Sequence, residues 1–90
     1  MEIKFSKKFS KQEQKTPRSI QLSLYKRLNI FAKDPFNPVL NNHLLGGTLK
    51  GFRSINITGD WRALYIEKTF DDAGLVITFH LLGTHSELYG

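Results

Sequence analysis

Leu75-Val76-Ile77-Thr78-Phe79-His80-Leu81-Leu82 is the most apolar run in the chain, and Gly83-Thr84-His85-Ser86-Glu87-Leu88-Tyr89-Gly90 follows it directly. The first segment is far too short to cross a membrane and reads as a buried strand. The second is of a different kind: a glycine hinge, an imidazole, two hydroxyls, a carboxylate and a phenol. A buried strand therefore carries hydrogen-bonding and titratable groups to the edge of a sheet, where a rigid scaffold meets an exposed segment. If residues 85–89 form one helical turn, His85 and Tyr89 come to the same side.

Reading back toward the N-terminus, Phe70-Asp71-Asp72-Ala73-Gly74 is a turn and Trp61 to Glu67 is β-prone. Thr58-Gly59-Asp60 is a second turn, and Phe52 to Ile57 is again β-prone. Three consecutive strands with short turns predict an antiparallel meander. Val39 to Gly47, with Asn41-Asn42-His43 and Gly46-Gly47, reads as a loop. Before it, Asp34-Pro35-Phe36-Asn37-Pro38 stops a helix whose Ile20, Leu24, Leu28 and Phe31 recur at helical spacing. Leu22, Tyr25 and Ile30 widen that stripe. Pro17 suits its first turn, with Thr16 as N-cap. An earlier helix starts after Ser6, anchored by Phe9, with Lys7, Lys8, Lys11 and Lys15 on its outside. Glu2 to Phe5 alternates and reads as a short strand that joins the sheet. The expectation is an α+β fold over residues 1–90 as one domain: N-terminal strand, helix hairpin and three-stranded meander, with the helices on one face of a four-stranded sheet.

Composition narrows the function classes. The 90 residues contain no cysteine, which removes disulfides and thiolate metal sites. No secretory signal and no apolar run of membrane-spanning length is present, so the expected setting is the cytoplasm, away from membranes. Residues 1–45 hold nine Lys/Arg against three acids, a net of +6, and residues 46–90 hold four against five, a net of −1. A basic half favours a polyanionic partner through phosphate neutralisation, and it reads equally well as a solvated helix surface.

The three histidines differ. His80 lies inside the apolar run and reads as a structural histidine with one nitrogen satisfied. His43 sits in a polar loop before a double glycine. His85 follows a glycine at the end of a buried strand, and an imidazole there can donate or accept a proton during catalysis. Their spacing matches no HxxxH or HExxH zinc pattern, so no metal and no cofactor is expected. No nucleophile elbow, P-loop or dinucleotide fingerprint is present. Asp60-Trp61-Arg62 places Arg62 on the strand face opposite Trp61, beside Asp60. An Arg so placed can clamp a phosphate, or form an ordinary surface pair with an acid. Lys50 and Arg53 could extend the positive surface.

The order strand, helix pair and meander resembles the RelE/ParE toxin superfamily. Asn41-Asn42-His43, Leu49-Lys50-Gly51-Phe52-Arg53, Ile55-Asn56-Ile57, Gly59-Asp60-Trp61-Arg62 and Gly83-Thr84-His85-Ser86-Glu87-Leu88-Tyr89 are similar to its YafQ-like branch. That resemblance spans essentially the whole chain. It implies a toxin of a type II toxin–antitoxin pair that enters the ribosomal A site and cuts mRNA there without a metal. It places His43, Asp60, His85 and Tyr89 on catalytic or RNA-contacting positions, and Arg62 on a position where the RelE branch uses a catalytic Arg. Asn56 stands where a YafQ relative has histidine. The implied roles are His85 as acid, Asp60 or His43 as base or base-orienter, and Arg62 with Arg53 on the phosphate. Tyr89 would hold a base, with Lys50 and Asn56 at the substrate. Lys7, Lys8, Lys11 and Lys15 would dock on ribosomal RNA. The implied partners are an antitoxin, the ribosome and its mRNA, with operator DNA reached only through the antitoxin. The alternatives are a ParE-like gyrase poison and an inactive antitoxin-binding relative.

Overall fold

The apolar run becomes the longest strand of the fold, and the sheet is arranged around it. In the computed structural model, which describes residues 1–90, the strands are β1 (Glu2–Phe5), β2 (His43–Leu44), β3 (Arg53–Asn56), β4 (Trp61–Phe70) and β5 (Gly74–Thr84). The helices are α1 (Lys7–Lys15), α2 (Arg18–Lys33) and α3 (His85–Tyr89). The sheet order is β1-β5-β4-β3-β2. β3, β4 and β5 form the expected meander, and β1 joins the sheet parallel to β5, with Ile3 opposite Ile77. No helix is long and apolar enough to cross a membrane.

The sheet has five strands instead of four. The expected loop from Val39 to Gly47 contains a 3-10 turn at Pro38–Leu40 and then β2, in which His43 pairs with Ser54 and Leu44 with Arg53. Two residues carry no periodicity, so a strand of this length leaves no sequence signal. The meander strands also run longer than their apolar cores: β4 continues to Phe70 and β5 begins at Gly74. The tip is a tight turn of Asp71–Ala73, with Gly74 at φ +70 to close it.

Helix starts follow from local chemistry. Ser6 caps α1, its hydroxyl accepting from the Phe9 amide at 3.1 Å. Thr16 was expected to cap α2 but instead terminates α1, its hydroxyl donating to the Glu13 carbonyl at 2.7 Å. Pro17 then leads into α2 with no side-chain cap, and its fixed φ sets the helical entry.

Both long helices lie on one face of the sheet. Their apolar sides meet Ile55, Ala63, Tyr65, Ile77, Phe79 and Leu82. Phe31, Tyr65 and Phe79 form an aromatic centre, with ring centroids 5.0 Å apart for Phe31–Tyr65, 5.4 Å for Phe31–Phe79 and 5.2 Å for Tyr65–Phe79. Such pairs add about 0.5–1.5 kcal/mol each beyond area burial. The β4–β5 register shifts between Leu64 and Tyr65, where an extra β5 residue makes a bulge. Gln12 of α1 reaches this end of β5 and accepts from the Leu82 amide at 2.8 Å.

Candidate functional site

Side-chain alternation sorts the strands into a helix-covered face and an open one. Ile55, Ala63 and Tyr65 belong to the helix-side core. Their neighbours Ser54, Asn56, Arg62 and Leu64 therefore point the other way, and His43 joins them as the register partner of Ser54. Ser54 is nevertheless fully buried. The cover is α3, which turns back over the sheet.

Four hydrogen bonds and one close approach fix that turn. Thr84 and Glu87 form a capping box: the Thr84 hydroxyl accepts from the Glu87 amide at 3.3 Å, and Glu87 Oε1 accepts from the Thr84 amide at 2.7 Å. These bonds hold the Glu87 carboxyl below its ordinary value of 4.5, the backbone amide of Thr84 contributing most. The His85 amide donates to the Asp60 carbonyl at 2.9 Å, docking α3 on the β3–β4 turn. Gly83 allows close approach, since a Cβ there would lie 3.2 Å from Glu87 Oε1 and 3.4 Å from Leu88 Cγ. At the far end of α3, the Tyr89 hydroxyl donates to Ser54 Oγ at 3.0 Å.

The helical turn brings His85 and Tyr89 together, as their spacing requires. Their ring centroids lie 4.5 Å apart in an edge-to-face arrangement. Contacts thus run across the open face from the His85 ring to the Tyr89 ring and on to the Ser54 hydroxyl, and His43 is the register partner of Ser54 in the neighbouring strand. Facing residues of paired strands lie about 4.5–5.5 Å apart at Cβ.

His43 is itself oriented. Asn41 sits in the left-handed region at φ 46, which Asn tolerates. Its carbonyl lies 2.8 Å from His43 Nδ1. A carbonyl can only accept, so Nδ1 carries a proton and neutral His43 presents the Nε2 lone pair. His43 is exposed, as are His85, Asp60 and Lys50. Lys50 closes the 3-10 turn Gly47–Leu49 just before β3.

The two arginines behave differently from the sequence expectation. Arg53 faces the helix side, opposite Tyr65, and pairs with Glu67 at 3.1 Å beneath the ring of Phe36. The structure does not bring it to the histidines. Arg62 is on the open face, but its guanidinium donates to the carbonyls of Thr58, Trp61 and Gly59 and makes no ion pair with Asp60. Asn56, across from Arg62, is half-buried, and its Oδ1 has no hydrogen-bond partner. Lys7, Lys8, Lys11 and Lys15 are all exposed on α1, and none is ion-paired. His80 stands edge-on to Phe52 at 6.1 Å, a ring contact in place of the expected hydrogen bond. No three His, Asp or Glu side chains are grouped so as to hold a metal ion.

Ser54 was not singled out from the sequence, and Asn41 was named only within the Asn41-Asn42-His43 stretch. Ser54 matters through a partner 35 residues away, and Asn41 through its main-chain carbonyl, so neither side chain signals its role. The capping box also went unread, although the Thr84-x-x-Glu87 spacing carries its signal.

The profile of a family described as a bacterial toxin of type II toxin–antitoxin system, YafQ, matches residues 1–90. Among solved structures, YafQ from E. coli strain BL21(DE3) superposes with a TM-score of 0.71 at 24% identity, over 99% of this chain and 98% of that one. A YoeB/ParE toxin from Agrobacterium tumefaciens gives 0.73 at 16% identity, over 94% and 99%. A chain of the E. coli DinJ–YafQ complex gives 0.63 at 29% identity, over 99% and 98%. No curated protein sequence matches the chain.

Proposed function

The chain belongs to the YafQ family of toxins from bacterial type II toxin–antitoxin systems, and from that premise we propose that it is a ribosome-dependent, metal-independent endoribonuclease, acting through residues 1–90 as one toxin domain. The observation that carries this reading is that the open face holds His85 against an anchored Tyr89 ring and sets His43 in register with Ser54, the residue that anchors that ring.

RNA supplies its own nucleophile. A base removes the proton of a 2′-hydroxyl, the resulting oxyanion attacks the adjacent phosphorus, and the 5′-oxygen leaves with a proton from an acid. The products are a 2′,3′-cyclic phosphate and a 5′-hydroxyl. His43 is assigned as base, because its Nδ1–H is committed to the Asn41 carbonyl and leaves Nε2 free to accept. His85 is assigned as acid. Asp60, exposed at the mouth of the same turn, supports the protonated imidazole or orients the 2′-hydroxyl. Tyr89 offers its ring to a base of the message, held in place from below by Ser54. Asn56 and Lys50 contact the substrate strand, and the α1 lysines bind ribosomal RNA at the A site. The protein works in the cytoplasm, where its ribosomal substrate is found.

The E. coli relative was crystallised with DinJ. We extend that pairing to a cognate antitoxin here, acidic in the segment that wraps the toxin and carrying any contact with operator DNA. The test is a single-turnover assay on ribosomes programmed with a defined message. Cutting in the A site, unaffected by EDTA when ribosome integrity is controlled, should leave 2′,3′-cyclic or 3′-phosphate ends. Cutting that leaves 3′-hydroxyl ends would overturn the mechanism. Inhibition of DNA gyrase without any cutting would replace the function.

A further inference from the structure

Arg62 shares the open face with Asn56 and Gly83, its register partners on either side. Its donors nevertheless turn away from that surface and into the β3–β4 turn. Nη1 donates to the Thr58 carbonyl at 2.8 Å and to the Trp61 carbonyl at 3.0 Å, and Nη2 donates to the Gly59 carbonyl at 3.0 Å. A single cation thus gathers three main-chain carbonyls from four consecutive residues. The Thr58 hydroxyl does the complementary job, lying 3.2 Å from the Trp61 amide and 3.4 Å from the Asp60 amide. The acceptors of the turn go to Arg62 and its donors to Thr58.

The carbonyl that Arg62 leaves free is that of Asp60, and this one receives the His85 amide at 2.9 Å. The turn is therefore the socket for the first residue of α3. Where His85 begins depends on where the Asp60 carbonyl points. That direction is set by the peptide planes on either side, both held by Arg62 through Gly59 and Trp61. Charged hydrogen bonds of this kind are roughly twice as strong as neutral ones and geometrically restrictive because the guanidinium is planar.

We infer that Arg62 is a positioning residue for His85, acting through the Thr58–Asp60 turn instead of binding the substrate phosphate. Its consequence for cleavage rests on the nuclease reading above, whereas its consequence for α3 does not. The assignment also accounts for the missing Asp60–Arg62 ion pair: the guanidinium is already occupied, so the Asp60 carboxylate stays exposed.

The experiment is amide hydrogen exchange by NMR on the full chain, comparing wild type with Arg62→Met, which keeps length and removes every donor. Loss of the three charge-assisted bonds should lower the protection of the His85 amide by about tenfold or more. Protection at Ile77 and Phe79 in the core should stay unchanged, and the His85 ring resonances should shift as the imidazole leaves the edge of Tyr89. Arg62→Lys should restore only part of the protection, because one ammonium cannot span three carbonyls. On ribosomes, the cutting step should slow while binding persists. Unchanged His85 protection and unchanged ring shifts in Arg62→Met would overturn the inference, and a cutting defect in such a protein would assign Arg62 to the phosphate. If Arg62→Met does not fold, Arg62→Lys carries the same comparison. A wild-type protein that fails to cut RNA would refute the nuclease reading and leave the exchange result to decide this one.

Discussion

Removing the phenol of Tyr89 tests the bond that ties the C-terminal helix to the sheet. Tyr89→Phe keeps the ring against His85 and deletes the donor to Ser54, a 3.0 Å bond to a residue with 0% exposure. A neutral bond contributes about 0.5–1.5 kcal/mol, and a buried partner left unsatisfied costs about 1–3 kcal/mol. Because Ser54 cannot reach water beneath α3, the expected loss is about 1–2 kcal/mol. In a domain of this size each kcal/mol moves the melting temperature by about 4–8 °C. Ser54→Ala should cost less, about 0.5–1 kcal/mol, because the half-buried phenol can turn to solvent. The double variant should be little worse than Tyr89→Phe alone, giving a coupling energy of about 0.5–1 kcal/mol. Urea denaturation of the four proteins measures this, provided their m-values agree. Single costs that add to within about 0.3–0.5 kcal/mol would show that the two hydroxyls do not interact. Cutting should also slow in Tyr89→Phe, because the ring keeps its chemistry and loses its anchor.

Other expectations follow from the same geometry. His85→Gln keeps hydrogen bonding and loses proton transfer near neutrality, so single-turnover cutting should fall by about 10²–10⁴-fold with ribosome binding retained; a wild-type rate would remove His85 from the mechanism. His43→Gln should give a loss of the same order, with ribosome binding retained. Replacing Lys7, Lys8, Lys11 and Lys15 with Gln should weaken ribosome binding and flatten its salt dependence, while the rate at saturating ribosomes holds; unchanged binding with collapsed cutting would place these lysines in the chemistry. The Glu87 carboxyl is depressed below 4.5 in the folded protein, so its contribution to α3 is fully present above that value. It should be lost as pH falls through the depressed folded value. Tyr89 and His85 resonances should therefore shift in acid in the wild type, and in Glu87→Gln this acid-linked change should vanish.

What the sequence by itself determined was periodic or local. The stripe of Ile20, Leu24, Leu28 and Phe31, the alternation of β3 and β4, and the apolar run of β5 each repeat along the chain often enough to declare an element and its buried side. Ser6 before α1 acts within one helical turn, so its cap was legible, and Thr84-x-x-Glu87 before α3 is an equally local signal that was not read as a cap. Position also brought His85 and Tyr89 together, since i and i+4 meet on any helix.

Only the tertiary structure could decide the remainder, because it depends on pairing partners that alternation does not name. A two-residue strand carries no period, so β2 and the place of His43 beside Ser54 came from the register with β3. Arg53 and Arg62 look alike in sequence, one strand apart. The pleat puts Arg53 on the helix-side face against Glu67 and Phe36, while Arg62 stays on the open face. Even there, which acceptors the guanidinium meets is fixed by the backbone of the turn. Three carbonyls converge on Arg62, so its charge is directed into the scaffold beneath His85.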